Sequence, residues 1–345
     1  MTMKFFDDLK DILSEKLVEA PIIKATMMGP RAVGKTSVMA SIFSETRDKI
    51  EGTQLYFRAS ENSVSELQNK RLKLMRIFED RKELCDVPQT GVIEASNIET
   101  TFGFEMGFVG RKKTVDIQIK DFPGEFLLSK PQKVSEYIEE SHIVLIAIDT
   151  PYLMEENGKY NEEKNNVSVV TDFLVNHPES IQNKLIMFIP LKSERYFHDN
   201  RMEEVKQEVT AAYSTLLDFC RLHNTACVIA PIQTLGGVEF DHFVDNQRDT
   251  GGISKLSKFR FCGSDSRYLP LFCVQPMYYL LTYVANFYAW SEGQSKNVWD
   301  RMKSSLVSVL KDNDEFFFEV KKMSKNILVD KMGYSIVVTN TILNI

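Results

Sequence analysis

Along most of the chain, short apolar runs alternate with stretches in which apolar positions recur every three or four residues. Residues 21–28 (PIIKATMM) read as a short buried strand, and residues 36–50 as the helix that follows it. A second helix is expected over about 63–84, opening on the capping box Ser63-Val64-Ser65-Glu66 and carrying Leu67, Leu74 and Phe78 on one stripe. Residues 101–109 and 114–120 form a hairpin, its second arm alternating Val115, Ile117 and Ile119 with Asp116, Gln118 and Lys120. Three apolar strands follow at 142–148, 184–190 and 226–232, separated by helical pattern around 167–175 and 202–222. This alternation predicts an α/β protein with a mainly parallel sheet and helices on both faces.

Residues 236–265 are Gly-rich and polar and read as an inserted loop or hairpin. The run 269–290 is apolar enough to suggest a membrane span, but Pro270, Gln275, Pro276, Thr282 and Asn286 interrupt it. Met277, Leu280, Leu281, Val284 and Tyr288 keep helical spacing, so a buried helix packed on the sheet is expected. The start, MTMKFFDDLKDILSEKL, mixes acids among its apolar positions and reads as an amphipathic helix (Phe5, Leu9, Ile12, Leu13) rather than a signal peptide. Asp312-Asn313-Asp314 breaks the C-terminal pattern and sets off the residues beyond it as an appendage.

Composition adds little: 345 residues, 43% hydrophobic and 26% charged, describe an ordinary globular chain. A formal charge of -6 provides no overall basic field for nucleic acid or an anionic membrane, and Arg111-Lys112-Lys113 reads as a solvated turn. The five cysteines contain no CxxC, so neither a disulfide framework nor a zinc ribbon is expected, and a cytoplasmic, reducing setting fits. No histidine has metal spacing with another, and HExxH and GxSxG are absent.

The candidate chemistry begins at Gly29-Pro30-Arg31-Ala32-Val33-Gly34-Lys35-Thr36, which fits GxxxxGK[ST]. Its glycines let backbone N–H groups of Arg31, Ala32 and Val33 turn toward phosphate, and the helix opening at Thr36 adds its positive end. Lys35 would reach the β- and γ-phosphates, Thr36 would be a hydroxyl ligand to Mg²⁺, and Ser37 would bond nearby phosphate or backbone. Arg31 either neutralises phosphate charge in cis or faces solvent. Asp121-Phe122-Pro123-Gly124 is a DxxG at a strand end, where Asp121 can hold Mg²⁺ and the Gly124 N–H can sense the γ-phosphate. Glu125 follows, either orienting the attacking water or simply favouring a helix N-terminus. A further Mg²⁺ ligand and switch threonine is expected before the hairpin, at Thr90 or Thr100.

Leu191-Lys192-Ser193-Glu194 resembles the base-reading [NT]KxD element of GTPases, with Glu194 in place of Asp. A carboxylate there accepts from two guanine N–H groups, a pair adenine lacks. Ala230-Pro231-Ile232-Gln233-Thr234 falls where GTPases cap the guanine O6, and a plain strand exit explains the same residues.

Taken in order, GPRAVGKTS, DFPGE, PLKSE and APIQTLGG resemble the motif series of translation-factor and Ras-like P-loop GTPases, over roughly residues 22–291. Within that class, DFPGE, QTLGG and RYLPLFCVQPMYYLL are most similar to bacterial double-GTPase-type proteins of conflict and defence systems. The resemblance implies a three-layer sandwich around a mainly parallel six-stranded sheet with one antiparallel strand, and helical N- and C-terminal appendages. Together with the residue patterning, it divides the chain into an N-terminal amphipathic helix at 1–20, a GTPase-like domain at 21–291 with insertions at about 52–98 and 236–268, and a helical appendage at 292–345. The function it implies is binding of GTP/GDP with Mg²⁺ and slow hydrolysis, switching a protein partner. The alternatives are an ATP-dependent small-molecule kinase or ATPase with 236–265 as a lid, and a non-hydrolysing, nucleotide-stabilised scaffold.

Overall fold

The computed structural model describes residues 20, 22–51, 53–81, 84–85, 99–246, 254–291, 314–325 and 335–340. The expected N-terminal helix and Thr90 lie outside the described residues. The strands in chain order are β1 (Ile22–Met28), β2 (Leu55–Ala59), β3 (Leu84–Cys85), β4 (Thr100–Phe108), β5 (Lys113–Asp121), β6 (Ile143–Asp149), β7 (Leu185–Leu191), β8 (Ala226–Ile229), β9 (Val238–Asp245), β10 (Lys255–Phe261) and β11 (Ser335–Val338).

Eight of them form one sheet in the order β11-β8-β7-β6-β1-β5-β4-β2, and β3, β10 and β9 form a second. Strands β1, β5, β6, β7 and β8 are parallel, whereas β4 runs against β5 and β11 against β8. The expected six-strand sheet with one antiparallel strand is thus enlarged at both edges. At one edge, the run taken for an insertion contains β2, where Leu55, Phe57 and Ala59 are buried while Arg58 is exposed, the period-2 signature of a strand. At the other, β11 covers the free edge of β8. The residues beyond 313 are therefore more than a helical appendage, and Phe316 and Val320 of the helix Asp314–Lys325 join the main core.

Alternation along β6 shows why the sheet is covered on both faces. Ile143, Leu145 and Ala147 point into the core beneath the helices Lys35–Lys49 and Gln275–Ser291. Val144, Ile146 and Ile148 point into the core beneath Pro131–Glu140, Val167–Val175 and Ser214–Leu222. Glu45 accepts the N–H groups of Phe272 (3.2 Å) and Val274 (3.1 Å), tying the entry of Gln275–Ser291 to the helix Lys35–Lys49.

Two helices differ from the expected pattern. The helix expected from Ser63 spans Glu61–Asp80 with Ser60 at its N-cap, and the Ser63 hydroxyl instead accepts the Gly103 N–H at 2.8 Å. Leu84 lies beyond it, in β3. The helical stretch 202–222 is broken at Tyr213 into Met202–Ala212 and Ser214–Leu222.

Strand β1 lies between β5 and β6, so the chain leaves β1 toward the β5 side and returns from β5 to pair β6 on its other side; in open α/β sheets such a reversal of strand order is where ligands bind, at the carboxyl edge. Gly29, Asp121, Asp149 and Lys192 all lie at or just past the carboxyl ends of these parallel strands. That edge gathers the candidate site residues.

Candidate functional site at the carboxyl edge of the sheet

The turn after β1 is built from backbone that side chains disfavour. Gly29 has φ 143°, Ala32 φ 60° and Gly34 φ 111°, and a Cβ on Gly29 would lie 2.8 Å from the Ala147 carbonyl oxygen. Val33 is buried, anchoring the loop, while Arg31 is exposed. The helix Lys35–Lys49 starts directly at Gly34.

Lys35 donates from Nζ to the carbonyl oxygens of Gly29 and Pro30, each at 3.1 Å, and Nζ stands 3.9 Å from Asp121 Oδ1. The Thr36 hydroxyl donates to Asp121 Oδ2 at 3.3 Å. Burial lowers the Lys35 pKa, while Asp121 and Glu125 pull it up and Lys164 pushes it down. Burial raises the Asp121 carboxyl, with Lys35 and the Thr36 hydrogen bond opposing. Each group thus lacks part of the solvation it has in water.

Asp121 Oδ1 and Ser37 Oγ are buried and have no hydrogen-bond partner among the described residues. Buried polar atoms are nearly always satisfied, so these are positions where a bound cation and a phosphate oxygen would supply the missing partners. Thr36, Asp121, Ser37 and Lys35 therefore fit a Mg²⁺–phosphate group in donor type and burial.

Gly124, three residues after Asp121, packs onto the turn after β1: a Cβ there would lie 2.6 Å from the Gly29 carbonyl oxygen. Glu125 is exposed at the start of the helix Phe126–Ser129, and its carbonyl accepts the Ser129 N–H at 2.9 Å. Thr100 stands opposite Asp121 in the β4–β5 ladder.

At the far side, Lys192 has φ 59° and donates to Asp149 Oδ2 at 2.6 Å. Glu194 is buried, and its Oε1 accepts the N–H groups of Leu235 and Gly236, each at 3.3 Å. Burial raises the Glu194 pKa, and these two N–H groups and its own oppose the rise. Gln233 is 2% exposed, and neither its side-chain oxygen nor nitrogen has a hydrogen-bond partner among the described residues.

Sequence reasoning missed three members of this edge. Asp149 is fully buried, and its backbone is bracketed by Asn165, which accepts the Asp149 N–H at 2.8 Å and donates to its carbonyl at 3.2 Å. Lys164 is 3% exposed; its Nζ donates to the Arg31 carbonyl at 3.3 Å and stands 3.8 Å from Asp149 Oδ2. Asp149 thus joins Lys164, beside the turn after β1, to Lys192 on the opposite side. The available signal was an acid ending the apolar run IVLIAID; nothing marked Lys164 or Asn165.

The chain matches no protein-family model and no curated relative. Among solved structures, it is similar to the S. cerevisiae Ski7 GTPase-like domain bound to GDP and inorganic phosphate, at 13% identity and TM-score 0.40, covering 65% of this chain and 45% of that one. The same domain bound to GTP gives 12% identity and TM-score 0.38 over the same shares. LeoA, a bacterial dynamin GTPase from ETEC, gives 13% identity and TM-score 0.34 over 93% of this chain and 42% of that one. The chain spans less than half the length of each. Among the described residues, no helix is long and apolar enough to cross a membrane.

Proposed function

We propose that this chain binds GTP with Mg²⁺, hydrolyses it slowly to GDP and phosphate, and switches a protein partner in the bacterial conflict or defence setting that its motifs resemble. The observation that carries the reading is the convergence of Lys35, Thr36 and Asp121 at the one edge where Gly124 touches Gly29. In this reading, Lys35 and the backbone N–H groups of Arg31 to Ser37 hold the phosphates, and Thr36 and Asp121 hold the ion. Bound Mg²⁺ supplies neutralisation of the β- and γ-phosphate charge. Glu125, exposed and electrostatically coupled to Lys35, orients the attacking water. The switch follows from Gly124, whose contact with Gly29 makes the DFPGE segment responsive to what the phosphate loop holds. Gln233 and Glu194 select the base, Gln233 through its unpartnered buried amide.

One observation favours a second reading, an ATP-dependent kinase or ATPase. One carboxylate oxygen of Glu194, Oε1, already accepts from Leu235 and Gly236, which weakens its case as a guanine reader. Calorimetry of the purified chain with Mg²⁺ and GTP, GDP or ATP separates them. Guanine nucleotides binding while ATP does not is the expected result; ATP binding as tightly as GTP removes the guanine assignment, and no binding at all removes the whole reading. Phosphate release that Lys35→Ala abolishes would establish turnover.

A further inference from the structure

His198, Glu239 and Cys262 come from three separate elements: the last residue of the helix Glu194–His198, the second residue of β9, and the residue after β10. His198 Nδ1 lies 3.0 Å from Glu239 Oε2 and 3.9 Å from Cys262 Sγ, and one ligand atom from each of the three lies within 4.8 Å of the others. Around a tetrahedral Zn²⁺, with N and O at about 2.0–2.1 Å and S at about 2.3 Å, ligand atoms stand roughly 3.2–3.6 Å apart. The two separations from His198 thus lie within a few tenths of an ångström of that range, and the third pair lies within 4.8 Å. An imidazole, a carboxylate and a thiol suit a borderline-soft ion such as Zn²⁺ and are a poor set for Mg²⁺ or Ca²⁺.

The surroundings are ordered for ligation as well. Glu239 Oε1 accepts from Arg260 Nε at 2.9 Å and lies 2.8 Å from Arg260 Nη2, which fixes the carboxylate and directs Oε2 at His198. Such outer partners orient ligands in metal sites. His198 and Cys262 are exposed, so an ion has access and a fourth position is open to water.

We propose that His198, Glu239 and Cys262 form a Zn²⁺ site, distinct from the Thr36–Asp121 edge, that clamps the β9–β10 hairpin to the helix following Lys192. The clamp joins elements with no other covalent or metal tie among the described residues. Glu194 and His198 share that helix, so the ion fixes the hairpin against the segment that carries the proposed base-reading residues. The site stands without nucleotide, independently of whether the GTP reading holds.

The test uses the full chain, stripped by chelator and free of nucleotide. After gel filtration with added Zn²⁺, one equivalent retained per chain is expected, and Co²⁺ in its place should give tetrahedral bands with a thiolate-to-cobalt charge-transfer band. Cys262→Ser should lose that band and His198→Gln should lose zinc retention, while Asp121→Asn keeps both. Cys262 and His198 are exposed, so circular dichroism of these variants should overlay wild type. Substoichiometric retention in wild type, a cobalt spectrum without the thiolate band, or zinc lost in Asp121→Asn but kept in Cys262→Ser would each overturn the assignment.

Discussion

The Cα of Gly124 faces the carbonyl oxygen of Gly29 so closely that a methyl group on it would stand 2.6 Å away. The neighbour is backbone, which cannot swing aside as a side chain can. Gly124→Ala is therefore expected to cost about 1–3 kcal/mol of stability by overpacking and to displace the phosphate loop. Nucleotide affinity should fall at least about tenfold, or about 1.4 kcal/mol, by calorimetry. Unchanged affinity and unfolding midpoint would show that the loop moves freely away from this contact.

Asp121→Asn removes the charge that burial already disfavours but that a cation would need. Affinity for GTP in the presence of Mg²⁺ should fall about tenfold or more, and the difference between Mg²⁺ and chelator should shrink. A variant that keeps the full Mg²⁺ dependence would place the ion elsewhere.

Asp149 lies between two buried lysines, at 2.6 Å from Lys192 Nζ and 3.8 Å from Lys164 Nζ. Asp149→Asn removes the anion that both lysines face, and breaking a buried ion pair typically costs about 3–5 kcal/mol. Urea unfolding should report that loss, and Asp149→Asn with Lys164→Met should recover part of it. A change below about 0.5 kcal/mol would mean that water already solvates these lysines.

Glu194→Ala deprives the N–H groups of Leu235 and Gly236 of their acceptor. Hydrogen bonds to charged groups contribute about 1.5–3 kcal/mol, and that much stability should be lost. Base choice is therefore better read in Glu194→Gln, which retains an acceptor oxygen. If guanine preference survives in Glu194→Gln and disappears in Gln233→Leu, base recognition belongs to Gln233.

His142 makes stability depend on pH on the acid side of neutrality. It accepts the Lys24 N–H at Nδ1 (3.2 Å), and burial, with Lys184 and Lys24 nearby, lowers its pKa from 6.5 to about 4. Between those values the unfolded chain binds a proton that the folded chain refuses. Stability is therefore undiminished above about pH 6.5 and falls as the pH drops toward 4, by up to about 3 kcal/mol. Wild type should lose more stability than His142→Asn between pH 7 and 4.5 in urea titrations; parallel losses would assign the effect to other groups.

The order of elements around the phosphate loop was legible because each depends on local pattern. A buried parallel strand announces itself as an unbroken apolar run, and Gly29 to Thr36 must follow a strand and open a helix for its backbone to turn inward. Strand β2 was less legible because the alternation of Leu55, Phe57 and Ala59 spans only five residues, and β11 only four. The N-cap at Ser60 is not legible because the serine three residues on completes a capping box, and the sequence does not say that the Gly103 N–H will claim the Ser63 hydroxyl.

By itself, the sequence determined the α/β alternation and the phosphate-loop and DFPGE motifs, because these are set by periodicity and by spacing within one turn. Only the tertiary structure decided that Gly124 meets Gly29, that Asp149 bridges Lys164 and Lys192, and that Glu194 turns onto Leu235 and Gly236. It alone gathered His198, Glu239 and Cys262, which lie 41 and 64 residues apart in pairs sharing His198. Charges and ligands act over a few ångströms of space, and which residues share that space depends on how strands far apart in the chain are ordered in the sheet.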